Sequence, residues 1–316
     1  MLAINSIRKK FMGILDAIGN TPVVELENIW NTKKTGIRIL VKLEGANPAG
    51  SVKDRPAYYM LKKALESGLL TKDKTILEPT SGNTGIGMAM VAAAMGFSIK
   101  LTLPACVSIE RRSILIAMGA ELELTPGSEK TDGAIARAHS ILEKHPDKYY
   151  MPNQFKNEAN YMSHYYSTGP EIIQQTNGEA DLFVAGMGTT GTLMGCSKYF
   201  RDNNFKTKVL GIEPEEGHKI QGLKNMKEAI VPEIYNPGLL DHKIYCNDRD
   251  AFDTVRELAL YEGIFCGLSS GAALWGAMEA AKDMKKGSTI VVLLPDRGDR
   301  YLSTEVFRSF CANCPP

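Results

Sequence analysis

Asn47-Pro48-Ala49-Gly50-Ser51-Val52-Lys53-Asp54-Arg55 is the stretch from which the rest of the chain can be read. Asn-Pro and Ala-Gly make a turn. An extended apolar run, Ile39-Leu40-Val41-Lys42-Leu43, precedes it, and a helical pattern from about residue 55 to 70 follows. Lys53 is therefore expected at the mouth of a helix. There the macrodipole presents partial positive charge, Arg55 adds a full one, and burial penalises the ammonium further. An amine so placed is neutral and nucleophilic. Pro56 fits a first helical turn, which can do without an amide donor. Taken on its own, Lys53 reads more readily as a solvated lysine near a helix start, so the other loops of the chain must decide.

Outward from this stretch, strand and helix alternate. Strands are expected at 23–26, 39–43, 75–78, 98–103, 121–124, 182–185, 208–212 and 289–294, with a short extended piece at Tyr149-Tyr150-Met151. Helices are expected at 55–70, 84–94, 108–118, 132–144, 161–176, 193–203, 250–262 and 271–284. This order predicts an α/β fold with mainly parallel sheets and helices on both faces. A boundary falls near 152–160, around Pro152, Asn153 and Asn157, which predicts two lobes with a cleft between them. There is no internal repeat and no low-complexity segment.

Composition excludes several classes. With 316 residues, 44% hydrophobic and 23% charged, the chain reads as a globular protein large enough for one large or two medium lobes. Its 37 Lys and Arg against 36 Asp and Glu give no footing for a nucleic acid, and no basic stripe is interleaved with aromatics. No apolar run has the length of a membrane span. Residues 1–11 carry Arg8-Lys9-Lys10 without an apolar core after them, which reads as an extension rather than a signal peptide. Six scattered cysteines suggest a reducing, cytoplasmic setting. Cys311-Ala-Asn-Cys314 is a lone CxxC lacking the further ligands of a zinc site, so no metal is expected.

Three glycine loops carry the chemistry. Pro79-Thr80-Ser81-Gly82-Asn83-Thr84-Gly85 joins a strand to a helix and makes an anion seat of free amides at a positive helix end; a capped helix start is the plainer alternative. Gly186-Met187-Gly188-Thr189-Thr190-Gly191-Thr192 follows the strand at 182–185. It fits G-x-G-x-x-G, and Glu213 stands about where a ribose-binding acid would, so an NAD-dependent oxidoreductase is the competing reading. Against it, the hydroxyls of Thr189, Thr190 and Thr192 suit a terminal phosphate better than a bridging pyrophosphate. That reading also leaves Lys53 and the first loop without a role. In Gly267-Leu268-Ser269-Ser270-Gly271-Ala272-Ala273 one of the two serines is expected to cap a helix.

Taken together, these motifs resemble the cysteine synthase and cystathionine β-synthase family of fold-type II pyridoxal-phosphate enzymes. The match runs from about Gly13, through Ile18-Gly19-Asn20-Thr21-Pro22, to Gly298-Asp299-Arg300-Tyr301-Leu302-Ser303-Thr304. The resemblance implies a two-lobed architecture with the active site in the cleft. Residues 48–157 would form a smaller, mobile lobe, and 12–47 with 158–316 a larger one. It implies that Lys53 carries pyridoxal 5'-phosphate covalently and, once freed, takes the substrate's α-proton. Gly188, Thr189, Thr190, Gly191 and Thr192 would hold the cofactor phosphate, with Thr190 standing where the family more often has Gly. Asn83 would meet the ring hydroxyl and Ser269 the pyridine nitrogen. Thr80, Ser81, Gly82, Thr84 and Gln154 would clasp the substrate carboxylate. A hydroxyl at the ring nitrogen makes a weaker electron sink than a carboxylate, which favours loss of a β-substituent.

The activity so implied is β-replacement through an aminoacrylate, making L-cysteine from O-acetylserine and sulfide. The same chemistry could release sulfide from cysteine, or accept thiosulfate or homocysteine. No regulatory module follows the catalytic unit and no haem-ligating segment precedes it, which points away from a vertebrate-type cystathionine β-synthase. The segment His218-Lys219-Ile220-Gln221-Gly222-Leu223-Lys224-Asn225-Met226 is a hybrid. Its second half resembles O-phosphoserine enzymes, which have arginine where Lys224 stands; lysine keeps the charge and loses the fork. A homodimer is implied, and a serine acetyltransferase or a sulfur-carrier protein is a candidate partner.

Overall fold

The computed structural model describes residues 13–307 apart from Ser81 and Ser108. Residues 1–11, Ser81 as a carboxylate contact and the Cys311/Cys314 pair therefore lie outside the described residues. The strands are β1 (Val23–Glu25), β2 (Arg38–Leu43), β3 (Thr75–Pro79), β4 (Ile99–Pro104), β5 (Glu121–Thr125), β6 (Tyr149–Tyr150), β7 (Leu182–Gly186), β8 (Lys208–Pro214), β9 (His242–Cys246) and β10 (Thr289–Leu294). The helices are α1 (Thr32–Thr35), α2 (Asp54–Glu66), α3 (Asn83–Met95), α4 (Ile109–Ala117) and α5 (Lys130–Lys144). They continue with α6 (Glu158–Tyr166), α7 (Thr168–Gln175), α8 (Gly191–Asp202), α9 (Asp248–Tyr261) and α10 (Leu268–Ala281).

Two sheets result. One has the order β1-β2-β10-β7-β8-β9, parallel except for the β1 edge; the other, β5-β4-β3-β6, is parallel throughout. The central strands of the first sheet are apolar on both faces, as a parallel sheet covered by helices requires. Their residues divide by the period of two: Ile39, Val41, Val184, Ile290 and Val292 enter one core layer, and Leu40, Phe183, Val291 and Leu293 the other. In the second sheet Ile76 packs against α2 and α3, while Leu77 meets residues of α5 on the opposite face. Helices α3 and α10 are apolar nearly all round and buried, whereas α2 buries Ala57, Met60, Leu61 and Ala64 and turns Lys62, Lys63 and Glu66 outward.

Two departures from the sequence reading have local causes. The helix expected over 161–176 is two helices, broken at Ser167. Pro170 cannot continue a helix from α6, because its ring would meet the carbonyl four residues back. The Ser167 hydroxyl meanwhile donates to the Ser163 carbonyl at 2.6 Å. Strand β9 falls in a region read as irregular. It is a sheet edge with His242, Lys243 and Tyr245 exposed, so it lacks the apolar pattern that betrays inner strands.

Candidate active site

A cavity of about 570 Å³ opens at the carboxyl ends of β3, β4, β7 and β10, where open α/β sheets bind ligands. Lys53, Thr80, Gly82, Asn83, Thr84, Gln154, residues 188–192, Lys224 and Ser269 all line it. Candidates taken from six separated parts of the chain thus meet around one cavity.

Lys53 stands at the N-cap position of α2 and is half-buried. Burial pushes its amine below the ordinary lysine range, against the opposing pull of Asp296 and Glu44. The sequence reading assigned part of that push to Arg55, and this is corrected by the geometry. Arg55 is turned into a buried ion cluster with Glu44 and Glu171, at 2.7 and 2.6 Å, where its charge is met. Desolvation depresses the amine, and the arginine beside it does not.

The turn at 188–192 closes on the N-terminus of α8. Its N-cap, Thr190, has φ +67° and makes no side-chain cap bond, and the Gly191 amide donates to the Thr189 hydroxyl at 3.4 Å. A β-branched residue in the left-handed region is strained, and the buried Thr190 hydroxyl has no partner. Gly188 and Gly191 are needed for close approach: a Cβ would fall 2.6 Å from the Gly222 carbonyl oxygen and 2.2 Å from Asn160 Oδ1 respectively. Thr192 is held from behind by the buried, neutral imidazole of His164, 3.3 Å from Nε2, whose Nδ1 lies 2.9 Å from the Thr168 hydroxyl. Burial, then the positive charges of Lys53 and Arg55, keep that imidazole well below its usual pKa.

On the opposite wall, the Thr84 hydroxyl donates to Gln154 Oε1 at 2.6 Å, and Asn160 Nδ2 donates to the Gln154 carbonyl at 2.7 Å. Glu78, fully buried at the end of β3, accepts the amides of Asn153 and Gln154 at 2.9 and 3.1 Å. Burial raises its pKa to about 7 against those two bonds. Sequence reasoning missed Glu78, Asn160 and His164. A carboxylate closing an otherwise apolar strand was the signal available for Glu78.

Ser269 lies in the first turn of α10, buried and on the cavity wall. The cap expected of one serine is absent: Gly267 is the N-cap, with no side-chain bond. Lys224 sits with its ammonium 4.3 Å from the centre of the Phe155 ring, and its backbone amide donates to the Met187 carbonyl at 2.8 Å. Glu213, the acid that the dinucleotide reading needed, is closed off. Its Oε2 pairs with Lys243 at 2.6 Å and its Oε1 accepts the Met226 amide at 2.7 Å.

These residues fit pyridoxal phosphate. A half-buried amine held below the ordinary lysine range, an uncapped helix start with an orphaned hydroxyl for a phosphate, and a separate amide-and-hydroxyl wall for a carboxylate share one cavity. Among the described residues no group of His, Cys, Asp and Glu could hold a metal, and no helix is long and apolar enough to cross a membrane.

Residues 14–296 match the family described as "Pyridoxal-phosphate dependent enzyme". The chain is 44% identical over 305 residues to the cysteine synthase of Aquifex aeolicus, covering 95% of this chain and 93% of that one. It is 44% identical over 290 residues to cysteine synthase B of Salmonella typhimurium, with 92% and 94% covered. Its structure superposes on the cysteine synthase of Entamoeba histolytica with a TM-score of 0.90 at 38% identity, covering 98% and 94%. Chemistry, fold and sequence therefore agree, and the chain belongs to the pyridoxal-phosphate dependent enzyme family.

Proposed function

We propose that the protein makes L-cysteine from O-acetyl-L-serine and sulfide by pyridoxal-phosphate-dependent β-replacement. One observation carries the reading: the Lys53 amine shares its cavity with an anion seat at the start of α8 and with a distinct carboxylate seat at Thr84 and Gln154. The cysteine synthases named above support it.

Bound through Lys53, pyridoxal phosphate supplies the electron sink for losing the α-proton and the β-substituent. The amides and hydroxyls of residues 188–192 hold its phosphate, Asn83 meets its ring oxygen, and Ser269 meets its ring nitrogen. Thr80, Gly82, Thr84 and Gln154 orient the substrate carboxylate. The Lys53 amine, whose pKa burial lowers from the ordinary lysine range, is the base that takes the α-proton. The four-stranded sheet belongs to a smaller lobe, residues 48–157, that closes on the larger one and excludes water. The separate strand orders of the two sheets support that division. A homodimer is the working unit that the family resemblance implies.

A second reading concerns the donor. Lys53, Arg111, Lys224 and Arg300 line the cavity, and among the described residues no Asp or Glu does. Lys224 has no ion pair among the described residues, and burial lowers its pKa against the opposing charge of Asp132. This electropositive mouth favours an anionic β-substituent such as the phosphate of O-phosphoserine.

The test is chemical. Borohydride reduction of the native protein should leave a pyridoxyl tag on the peptide containing Lys53, and Lys53→Ala should abolish both the tag and the formation of cysteine. A folded, cofactor-saturated protein with no tag at Lys53 would refute the proposal.

A further inference from the structure

Asn83 is held from two sides by charged groups that sequence reasoning gave no role. The Arg300 guanidinium, from the segment after β10, donates through Nη1 to Asn83 Oδ1 and through Nη2 to the Ala49 carbonyl. On the other side Asn83 Nδ2 donates to Asp296 Oδ2 at 2.6 Å, an oxygen that also accepts the Tyr301 hydroxyl at 2.5 Å. Asp296 is buried, and Arg300 lines the cavity beside Asn83.

We propose that Arg300 is a positioning residue that, with Asp296, fixes the Asn83 amide in one orientation and leaves it a single N–H for the cavity. A side-chain amide has one acceptor oxygen and two N–H donors. Guanidinium offers only donors, and Asp296 Oδ2, which takes both the Asn83 amide and the Tyr301 hydroxyl, serves as an acceptor. Turning the amide over would set N–H against N–H on the Arg300 side and oxygen against oxygen on the Asp296 side. Two charge-assisted bonds would be lost and two repulsions gained. With Oδ1 taken by Arg300 and one N–H by Asp296, the remaining N–H is all that Asn83 can present.

The ligand atom that meets Asn83 is therefore an acceptor. This rests on the functional reading above and deepens it: the amide would favour the deprotonated form of the cofactor's ring oxygen, the stronger acceptor, and Arg300 would set that preference through Asn83. Arg300 also ties the Ala49 carbonyl, four residues before Lys53, to the same amide. The turn that carries the reactive amine and the residue that reads the ring are thereby fixed by one side chain.

The test uses the cofactor-loaded protein and the protein stripped of cofactor. Two quantities are read: the dissociation constant for pyridoxal phosphate, and the balance between the yellow absorbance of the ring-deprotonated form and the near-ultraviolet absorbance of the ring-hydroxyl form. Arg300→Met should weaken cofactor binding about tenfold, or ~1.4 kcal/mol, and shift the balance toward the near-ultraviolet. Arg300→Lys, which keeps the charge and reaches one acceptor, should lie between. In an Asn83→Ala background, Arg300→Met should add no further spectral shift. A folded Arg300→Met protein with wild-type band balance overturns the assignment, as does an undiminished shift in the Asn83→Ala background. Should Arg300→Met fail to fold, wild-type affinity and band balance in Arg300→Lys overturn it. A wild-type protein that takes up no pyridoxal phosphate overturns the functional reading as well. A yellow wild type with indifferent Arg300 variants overturns this assignment alone.

Discussion

The Arg55 guanidinium clasps both carboxylate oxygens of Glu44, Nε to Oε2 at 2.7 Å and Nη2 to Oε1 at 2.8 Å, two residues from Lys53. Glu171 receives the same guanidinium at 2.6 Å and the fully buried Lys42 at 2.8 Å, so two cations meet two anions behind the reactive lysine. Breaking such a cluster leaves an uncompensated charge in a medium that solvates it poorly. Arg55→Met or Glu44→Gln should each destabilise the protein by about 3–5 kcal/mol, read as a lower urea midpoint at unchanged slope. A change below about 1 kcal/mol would mean that the cluster behaves like a surface pair.

The same cluster sets the acid limit of stability. Burial raises the Glu44 pKa, but Arg55 outweighs it and holds the carboxyl at about 2. A folded pKa below the unfolded one gives stability that is present above about pH 4.5 and lost as the pH falls toward 2, worth roughly 3 kcal/mol. Asp54 and Glu78 act with the opposite sign. Burial lifts both to about 7, so their contribution is whole below about pH 4 and is lost as the pH rises through 7. His164, held neutral by burial, acts against them below about pH 6.5. Their sign is therefore read by difference: relative to Glu78→Gln, the cofactor-free wild type should lose melting midpoint as the pH rises from about 4 to 7. A wild-type midpoint that does not fall relative to Glu78→Gln over that range would contradict the burial-raised pKa of Glu78.

Gly188→Ala tests the phosphate turn without touching a polar group. The added methyl meets the Gly222 carbonyl oxygen at 2.6 Å, a backbone atom that cannot swing aside, so relief requires the two segments to part. Overpacking of this kind costs about 1–3 kcal/mol. The expected result is a folded protein that binds pyridoxal phosphate about tenfold more weakly, ~1.4 kcal/mol. Unchanged affinity in a fluorescence titration would show that the turn does not hold the phosphate.

How far the sequence could be read follows from what each residue depends on. Strands β2, β7 and β10 were legible because unbroken apolar runs between turn signals admit few other structures, and Lys53 and Gly188 because a turn followed by a helix places them locally. Strand β9 was hidden by its exposed edge, and the break at Ser167 by an apolar pattern that continues across it. The supporting residues were illegible for a different reason. Arg300 reaches Asn83 across 217 positions, Arg55 reaches Glu171 across 116, and Gln154 reaches Glu78 across 76. Such partners are chosen by topology, and no local spacing announces them.

Thr84→Val keeps the shape of its side chain and removes the hydroxyl that donates to Gln154 Oε1. The Gln154 backbone remains fixed by Glu78 and Asn160, so only the side-chain amide is released. If that amide grips the substrate carboxylate, the Michaelis constant for O-acetylserine should rise about tenfold, ~1.4 kcal/mol, with cofactor affinity unchanged. An unaltered Michaelis constant would remove Gln154 from the carboxylate seat.

Lys224 separates the two donors. Its ammonium faces the Phe155 ring at 4.3 Å inside a cavity that no carboxylate lines among the described residues, so what it lacks is an anion. Acetyl offers a neutral ester and phosphate a dianion, and a half-buried cation distinguishes them by about 1–3 kcal/mol. Lys224→Ala should therefore raise the Michaelis constant for O-phosphoserine about ten- to hundredfold, ~1.4–2.7 kcal/mol, and move that for O-acetylserine little. Lys224→Arg should improve the phosphoserine reaction, because a planar fork grips phosphate with two bonds where an ammonium offers a point charge. Equal effects of Lys224→Ala on both donors would reduce the residue to a prop for Phe155 and leave the electropositive mouth to Arg111 and Arg300.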